Sequence, residues 1–500
     1  MGALLETIPQ RIKRVAREYR DKIAVSQGDF TLRYSELVGE IEQVARELDR
    51  AGVKSGSRVL LVLPNNWFAL RLILACFELG VVPLPVSPRY PEHFIEKIFS
   101  LADASLIITW KEKVLAENLP QALLEENGNL IFRSKPLSFR EQFPALESPV
   151  AALFATSGTS GIPKLVMLTH HNILSDIDSC FDLVDISPED RMLGVLPMFH
   201  VFGFSIAYLL PLVKGMMLTI VPSLYPLDGL LESLKHYQST VFLGVPALFS
   251  ILAGARARQK FDLHPLRLLI CGGDALPSRV RENFENAFGL KIIEGYGITE
   301  ASPVVSVNPS PEVRIPGSAG LVIDAIHLRI VDEEGNEVAP GEVGEIVLSG
   351  DPISPGYFRN PEENARSFRG GWFYTGDLGK KDEKGILYIE GRKKELIIVS
   401  GFNVYPREVE EVIMEFPGVA QSAVIGVKRD VRGELIKAYV VPAEGATLEP
   451  LQIVRFCKQR LPHYKVPRIV EIVKELPQTV TGKIMKYAIK SSGAEVEVKE

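Results

Sequence analysis

Apolar runs of two lengths alternate along the first half of the chain. In "SRVLLVLPNNWFALRLILACFELGVVPLPV" a strand (Val59–Leu63) is followed by a capped helix (Trp67–Leu79) and a second strand (Val81–Val86). A short continuous apolar run bounded by turn residues marks a strand buried on both faces, and a longer one marks a buried helix. A further helix, about Glu92–Ala102, leads into the strand "SLIIT". This β–α alternation predicts parallel sheet with helices on both faces. It resumes in "LRLLICGGDALP" and "KIIEGYGITE", each an apolar strand running into a glycine turn. Open α/β sheets bind ligands outside the carboxyl ends of their strands, so both turns point toward a site.

From about Ala319 the pattern shortens to strands and turns, as in "HLRIVDEEGNEVAPGEVGEIVLSG", which predicts a small β subdomain over about 319–391. The hairpin "KKDEKGILYIEGRKKELIIVSG" then leads into a helix ("PREVEEVIMEF"), strands ("SAVIGV", "IKAYVV"), a second helix ("PLQIVRFCKQRL") and a last strand ("RIVEIV"). The expectation is an α/β domain over 1–391 and a compact, mobile α+β domain over 392–500, with the boundary near Arg392–Lys394. The tail "SSGAEVEVKE" reads as frayed.

Composition narrows the function classes. The 500 residues, 46% hydrophobic and 24% charged, fit a soluble globular protein of two to four domains. A net charge of −6 gives no electrostatic footing for nucleic acid. Cys76, Cys180, Cys271 and Cys457 form no CxxC pair, which suits a reducing cytoplasm and neither a disulfide framework nor a zinc site. The N-terminus reads as neither signal peptide nor myristoylation site. One charge-free run, Leu196–Val213, approaches the length of a membrane span. Pro197, His200, Gly203 and Pro211 interrupt it, so it is read as a buried pocket wall.

Five stretches carry the candidate chemistry. "TSGTSGIPK" offers the hydroxyls of Thr156, Ser157, Thr159 and Ser160, backbone N–H groups at Gly158 and Gly161, and the cation of Lys164, a composition suited to phosphate. It is not a Walker A loop, because Pro163 stands where the second glycine belongs and Leu165 follows the lysine. "EGYGITE" supplies Tyr296 for stacking on a base, the Thr299 hydroxyl, and in Glu300 a hard carboxylate for Mg²⁺. "FYTGDLG" places Asp377 in a glycine turn, able to accept from both ribose hydroxyls. "GRKKELIIVSGFNVYPREVE" sets Arg392 at the boundary, and "LPQTVTGKIMK" sets Lys483 near the end of the chain.

In this order and spacing the stretches resemble the adenylate-forming superfamily: acyl-CoA synthetases, firefly luciferase and peptide-synthetase adenylation domains. The resemblance runs from about residue 10 to about 490. It implies that Thr156–Lys164 holds the ATP β- and γ-phosphates and that Thr156 and Glu300 bind Mg²⁺. Gly272, Gly273 and Asp274 would lie along the adenine, within a nucleotide site that also includes Glu294, Gly295 and Gly297. Tyr296 would stack on the base, Thr299 meet the α-phosphate, and Asp377 with Arg392 grip the ribose. His200 would stand near the substrate carboxylate, with Phe199, Val201 and Phe204 around the acyl pocket. Lys394 would be the hinge, Ser400 and Gly401 would line the pantetheine tunnel, and Lys483 would be the adenylation lysine. Leu165 departs from the family's usual glycine.

The closest resemblance is to bacterial medium- and long-chain fatty acyl-CoA synthetases. It implies ATP, Mg²⁺ and coenzyme A, activation of a fatty acid to acyl-AMP, and transfer to CoA. No aspartate near His200 is placed to pair a substrate amine. A fatty acyl-AMP ligase serving a carrier protein, an aryl-CoA ligase, and a non-catalytic nucleotide-binding protein are the alternatives. A cytoplasmic location follows, with room for peripheral membrane contact and for a homodimer.

Overall fold

The computed structural model describes residues 5–110, 115, 119–138, 142–157, 163–223, 226–428, 434–478 and 483–489. The frayed-tail expectation falls outside them. Two of the large domain's sheets are mainly parallel. The first has the spatial order Leu321–Val322, Val304–Val307, Ile292–Gly297, Leu268–Cys271, Val241–Gly244, Arg191–Gly194, Met217–Ile220, Ile23–Gln27, Phe30–Arg33. From Ile292–Gly297 to Ile23–Gln27 neighbours run parallel, while both edges are antiparallel. The second orders Val82–Pro85, Arg58–Val62, Leu106–Trp110, Gln121–Leu124, Leu130–Phe132, parallel except for the last pair.

The helix Trp67–Leu79 is buried nearly all round. Its first turn is closed by Asn66, whose side chain accepts from the Ala69 N–H at 2.8 Å, and its end by Gly80 in the left-handed region. The helix Glu92–Ala102 lies where the periodicity puts it.

Two expectations needed correction. "EGYG" does not end a strand: Ile292–Gly297 runs through it and pairs antiparallel with Val304–Val307. Asp377 is likewise not in a simple turn. It lies within the strand Trp372–Lys381, directly opposite Arg392 on Leu387–Arg392. A sequence containing Gly-Asp-Leu-Gly reads as a turn because Gly376 takes φ +71°, but the ladder continues past it. The antiparallel β sheet containing this pair begins at Ile326, since Leu321–Val322 belongs to the nine-stranded sheet.

Within Leu196–Val213, Phe202–Leu209 is a π-helix continued by an α-helix, Leu210–Val213, and residues 196–200 lead into it without helix. Nearly all of it is buried, and no helix among the described residues is long and apolar enough to cross a membrane. Gly203 lets it pack: a Cβ there would stand 2.2 Å from the Pro197 carbonyl oxygen.

Beyond Arg392 comes a 3₁₀ turn, Lys393–Glu395, and a hairpin, Ile397–Val399 with Phe402–Val404. Its two turn residues, Ser400 and Gly401, have φ +51° and +85°, as a tight two-residue hairpin requires. The strands Val419–Lys428, Glu434–Pro442 and Ile469–Ile472 then form a sheet with the helices Pro406–Glu415 and Pro450–Lys458. They share a core of their own that includes Val409, Ile413, Val440 and Ile453. Arg279 of the large domain donates to the Met414 and Val419 carbonyls at 3.3 and 3.2 Å, closing the end of Pro406–Glu415.

Candidate functional site

Two antiparallel pairings assemble the site. Val150–Ser157 pairs with Pro163–Thr169, so Thr156 and Lys164 are cross-strand partners. Gly158, Thr159, Ser160 and Gly161, between them, lie outside the described residues. Leu165 needs no glycine: on the strand it is buried, packed in a core that includes Leu153, Met167 and Phe358. Its carbonyl accepts from the Phe358 N–H at 2.8 Å, and Val166 bridges to Tyr357. That contact brings Tyr357 alongside Lys164, whose ammonium lies 5.0 Å from the centre of its ring.

Glu300 sits in the 3₁₀ turn Thr299–Ala301 and accepts from the Tyr357 hydroxyl at 2.8 Å. Burial raises its pKa; the Tyr357 hydrogen bond and the nearby charges of Lys164 and Arg392 partly offset this. Thr299 is half-buried beside it.

The second pairing forms a cluster around Asp377. Asp377, 5% exposed, accepts from the Tyr296 hydroxyl at 2.6 Å and faces the Arg392 Nε at 3.2 Å. Its backbone N–H donates to the Thr375 hydroxyl at 2.9 Å. Burial, then the Asp377 charge, raises the Tyr296 phenol well above its ordinary value, so Tyr296 stays a hydrogen-bond donor. A buried carboxylate with a phenol and a guanidinium on it is a ready acceptor for vicinal hydroxyls.

Other expected nucleotide residues are more dispersed. Gly272 is buried against the Phe202 ring, 3.1 Å from where a Cβ would stand, while Gly273 and Asp274 are exposed. Glu294 is buried and committed elsewhere: it accepts from the Gly317 N–H at 2.9 Å and meets Arg281 at 3.4 Å. Gly295 and Gly297 pair in the strand with Val307 and Val304.

His200 stands half-buried at the start of the apolar wall, its Nδ1 accepting from the Phe202 N–H at 3.3 Å. Burial, helped by the charge of Lys483, lowers its pKa to about 4, leaving a neutral imidazole at physiological pH. Lys483, exposed in the small domain, therefore acts electrostatically on a large-domain group. Behind His200, Val201 and Phe204 are buried and Phe199 is half-buried. The Phe204 ring meets those of Phe154 and Phe77 edge-on, at 5.0 and 6.1 Å. Ser400 and Gly401 are exposed at the hairpin tip, and Lys394 is exposed in the 3₁₀ turn before that hairpin.

Tyr357, Glu363 and Thr375 were not among the expected residues. "PGYFRNPEE" carries no signal that its tyrosine and second glutamate meet Lys164, since Glu363 lies 199 residues away in sequence. Among the described residues no three His, Cys, Asp or Glu side chains cluster for a metal. Mg²⁺ bound with a nucleotide takes one or two carboxylates beside phosphate and water, a donor chemistry that a single carboxylate such as Glu300 can supply.

Comparison with known proteins places this geometry. Residues 12–358 match the AMP-binding enzyme family, and residues 408–483 match the AMP-binding enzyme C-terminal domain. The chain is 33% identical to a long-chain-fatty-acid–CoA ligase of Bacillus subtilis (strain 168), over 96% of this chain and 93% of that one. It is 34% identical to a feruloyl-CoA synthase of Amycolatopsis sp, over 95% and 97%. The crystal structure of ATP-bound MatB from Rhodopseudomonas palustris superposes with TM-score 0.88 at 30% identity, covering 97% of this chain and 99% of that chain. The O-succinylbenzoate coenzyme A synthetase (MenE) from Bacillus subtilis, in complex with ATP and magnesium ion, gives 0.84 at 25% identity, covering 96% and 99%. With both matched segments in the order of the site motifs, the chain belongs to the AMP-binding enzymes, the adenylate-forming ligases of the acid–thiol kind.

Proposed function

We propose that the protein joins a fatty acid to ATP as acyl-AMP, releasing pyrophosphate, and then passes the acyl group to coenzyme A with loss of AMP. The observation that carries the acyl part is the wall behind His200, buried, almost wholly apolar and uncharged from Val201 to Val213. Such a surface rewards an alkyl chain by ~0.8 kcal/mol per buried CH₂.

In the first step a carboxylate oxygen attacks the α-phosphorus and the bond to the β-phosphate oxygen breaks. Both reactants are anionic, so the protein's contribution is alignment and positive charge. On this reading Lys164 and the loop before it hold the β- and γ-phosphates, and Thr299 meets the α-phosphate. Asp377, Arg392 and Tyr296 hold the nucleoside. Lys483 approaches from the small domain toward the oxygens at which charge builds. His200, neutral, can offer a hydrogen bond to the carboxylate without forming a competing ion pair. Mg²⁺ held by Glu300 and Thr156 would offset phosphate charge when bound. In the second step a thiol entering past Ser400 and Gly401 attacks the acyl carbonyl and AMP leaves, with Lys394 as the pivot between steps.

An aryl acid is the second reading. The feruloyl-CoA synthase relative favours it, as do the three rings of Phe77, Phe154 and Phe204, which could face an aromatic substrate. A CoA-dependent AMP-release assay over saturated acids of about C4 to C18, beside ferulate and indoleacetate, separates the two. The fatty-acid reading expects activity to climb with length and then fall once ~0.8 kcal/mol per CH₂ can no longer be gained. A preference for ferulate or indoleacetate over every alkyl acid replaces it with the aryl reading.

A further inference from the structure

Lys164 is held on two sides by the segment Tyr357–Ser367. Its ammonium is 2.5 Å from Glu363 Oε1 and 5.0 Å from the centre of the Tyr357 ring. Both partners are themselves fixed. Glu363 lies in the helix Pro361–Ser367, its N–H donating to the capping Asn360 Oδ1 at 3.2 Å. The Ser367 hydroxyl donates to the same Glu363 oxygen that meets Lys164, at 3.1 Å. Tyr357 is tied to Asn364 in both directions, by its N–H to Oδ1 at 2.7 Å and by its carbonyl from Nδ2 at 2.9 Å. Its hydroxyl reaches Glu300 at 2.8 Å. Although burial opposes it, the hydroxyl and ammonium contacts keep the Glu363 pKa below its ordinary value, so the group is an anion at neutral pH.

A carboxylate oxygen at this distance gives an ammonium much of what a phosphate oxygen gives it: negative charge and a strong acceptor. Side chains only 24% and 20% exposed still make this a half-open pair, whose net worth to folding is small. Both anions compete for one cation, and they repel each other if both are present. We propose that Glu363 is the counter-ion of Lys164 in the nucleotide-free enzyme, an internal stand-in for the β,γ-phosphates that weakens ATP binding and helps expel pyrophosphate by reclaiming the lysine. This rests on the reading that Lys164 meets the β- and γ-phosphates. Glu363 is a positioning residue here, acting through Lys164 and touching no reacting atom.

The test compares wild type, Glu363→Gln, Glu363→Asp, Lys164→Met and the double variant Lys164→Met/Glu363→Gln. Each is measured for KM of ATP in pyrophosphate exchange, inhibition by added pyrophosphate, and AMP binding by calorimetry. Glu363→Gln should lower KM for ATP and the inhibition constant of pyrophosphate roughly three- to fivefold, the size of a half-open ion pair. AMP, which lacks both outer phosphates, should bind Glu363→Gln as it binds wild type. Glu363→Asp should restore most of the wild-type behaviour, and Glu363→Gln should have no effect once Lys164 is methionine. A raised KM for ATP in Glu363→Gln, an equal shift for AMP, or a shift that persists in the double variant overturns the proposal. If Lys164→Met alone leaves ATP and pyrophosphate unaffected, the assignment of Lys164 to the phosphates falls first and the proposal with it.

Discussion

Replacing Asp377 by asparagine keeps the shape of the side chain and removes its charge. In the folded chain that charge has two partners, a hydrogen bond from the Tyr296 hydroxyl at 2.6 Å and an ion pair with the Arg392 Nε at 3.2 Å, at a carboxylate only 5% exposed. A hydrogen bond to a charged group contributes ~1.5–3 kcal/mol and a neutral one ~0.5–1.5. The change therefore costs about 1 kcal/mol for each partner it weakens. If the partners in the working enzyme include two ribose hydroxyls, about 2 kcal/mol appears in nucleotide binding, close to a thirtyfold rise in the ATP dissociation constant. If the carboxylate serves only to tie Tyr296 to Arg392, the same energy appears in the melting temperature and ATP binds as before. Calorimetric titration of ATP and AMP, with thermal melts of the same preparations, separates these outcomes. 2′-Deoxy-ATP provides the internal check, because a nucleotide lacking one of the two hydroxyls should bind wild type poorly and gain little further penalty in Asp377→Asn. An ATP dissociation constant within twofold of wild type, with the loss confined to stability, refutes the ribose assignment.

Glu300→Gln should raise the Mg²⁺ concentration needed for half-maximal pyrophosphate exchange, and an unchanged titration removes Glu300 from the metal site. Lys483→Met should slow adenylation by ~10²–10³-fold while sparing thiolation of supplied acyl-AMP. It should also raise the His200 pKa from about 4, which NMR titration reads directly; no rise means that Lys483 does not face His200 in solution. Gly401→Leu should block thiolation more than pyrophosphate exchange. No atom lies within 4 Å of the added Cβ, so loss of both half-reactions together would point to strain at φ +85° instead. Stability should fall as pH drops from 6.5 toward 4, because His170 and His200 are held near 4 by burial and the unfolded chain binds protons first, at about 1.4 kcal/mol per pH unit for each. Asp176 acts with the opposite sign: burial raises its pKa, so its contribution is present below about 3.8 and is lost as pH rises. Asp176→Asn should therefore raise the melting temperature more at pH 8 than at pH 4, and an equal gain at both contradicts a neutral buried acid.

Local chemistry was the most legible part of the chain. Trp67–Leu79 could be bounded to the residue because its apolar run starts behind a cap and stops at a glycine. Order and spacing of the motifs were enough to bring out the family, since each motif carries its own functional groups. Pairing across the chain was much less visible. Asp377 looks like a turn residue until Arg392 is found opposite it, and nothing near Glu300 announces the Tyr357 hydroxyl 57 positions away. Leu165 shows the same limit. As a loop residue it breaks a motif, and as a strand residue it fills a core. The π-helical turn of Phe202–Leu209 was equally hidden, because its apolar residues fit any buried helix and the close approach of Gly203 to Pro197 leaves no mark in the local pattern.

The ladder that sets Asp377 opposite Arg392 ends where the small domain begins. Lys393, one residue on, is tethered to Glu345 at 2.9 Å, and the other oxygen of Glu345 accepts from the Gly376 N–H at 3.1 Å. On the proposed reading, a swing of the small domain starts from a post anchored beside the residues assigned to the nucleoside, and these lie before the pivot in the chain. On the proposed reading the nucleotide product is then gripped as firmly in the second half of the cycle as in the first, and its departure waits for the acyl group to leave rather than for the domain to turn.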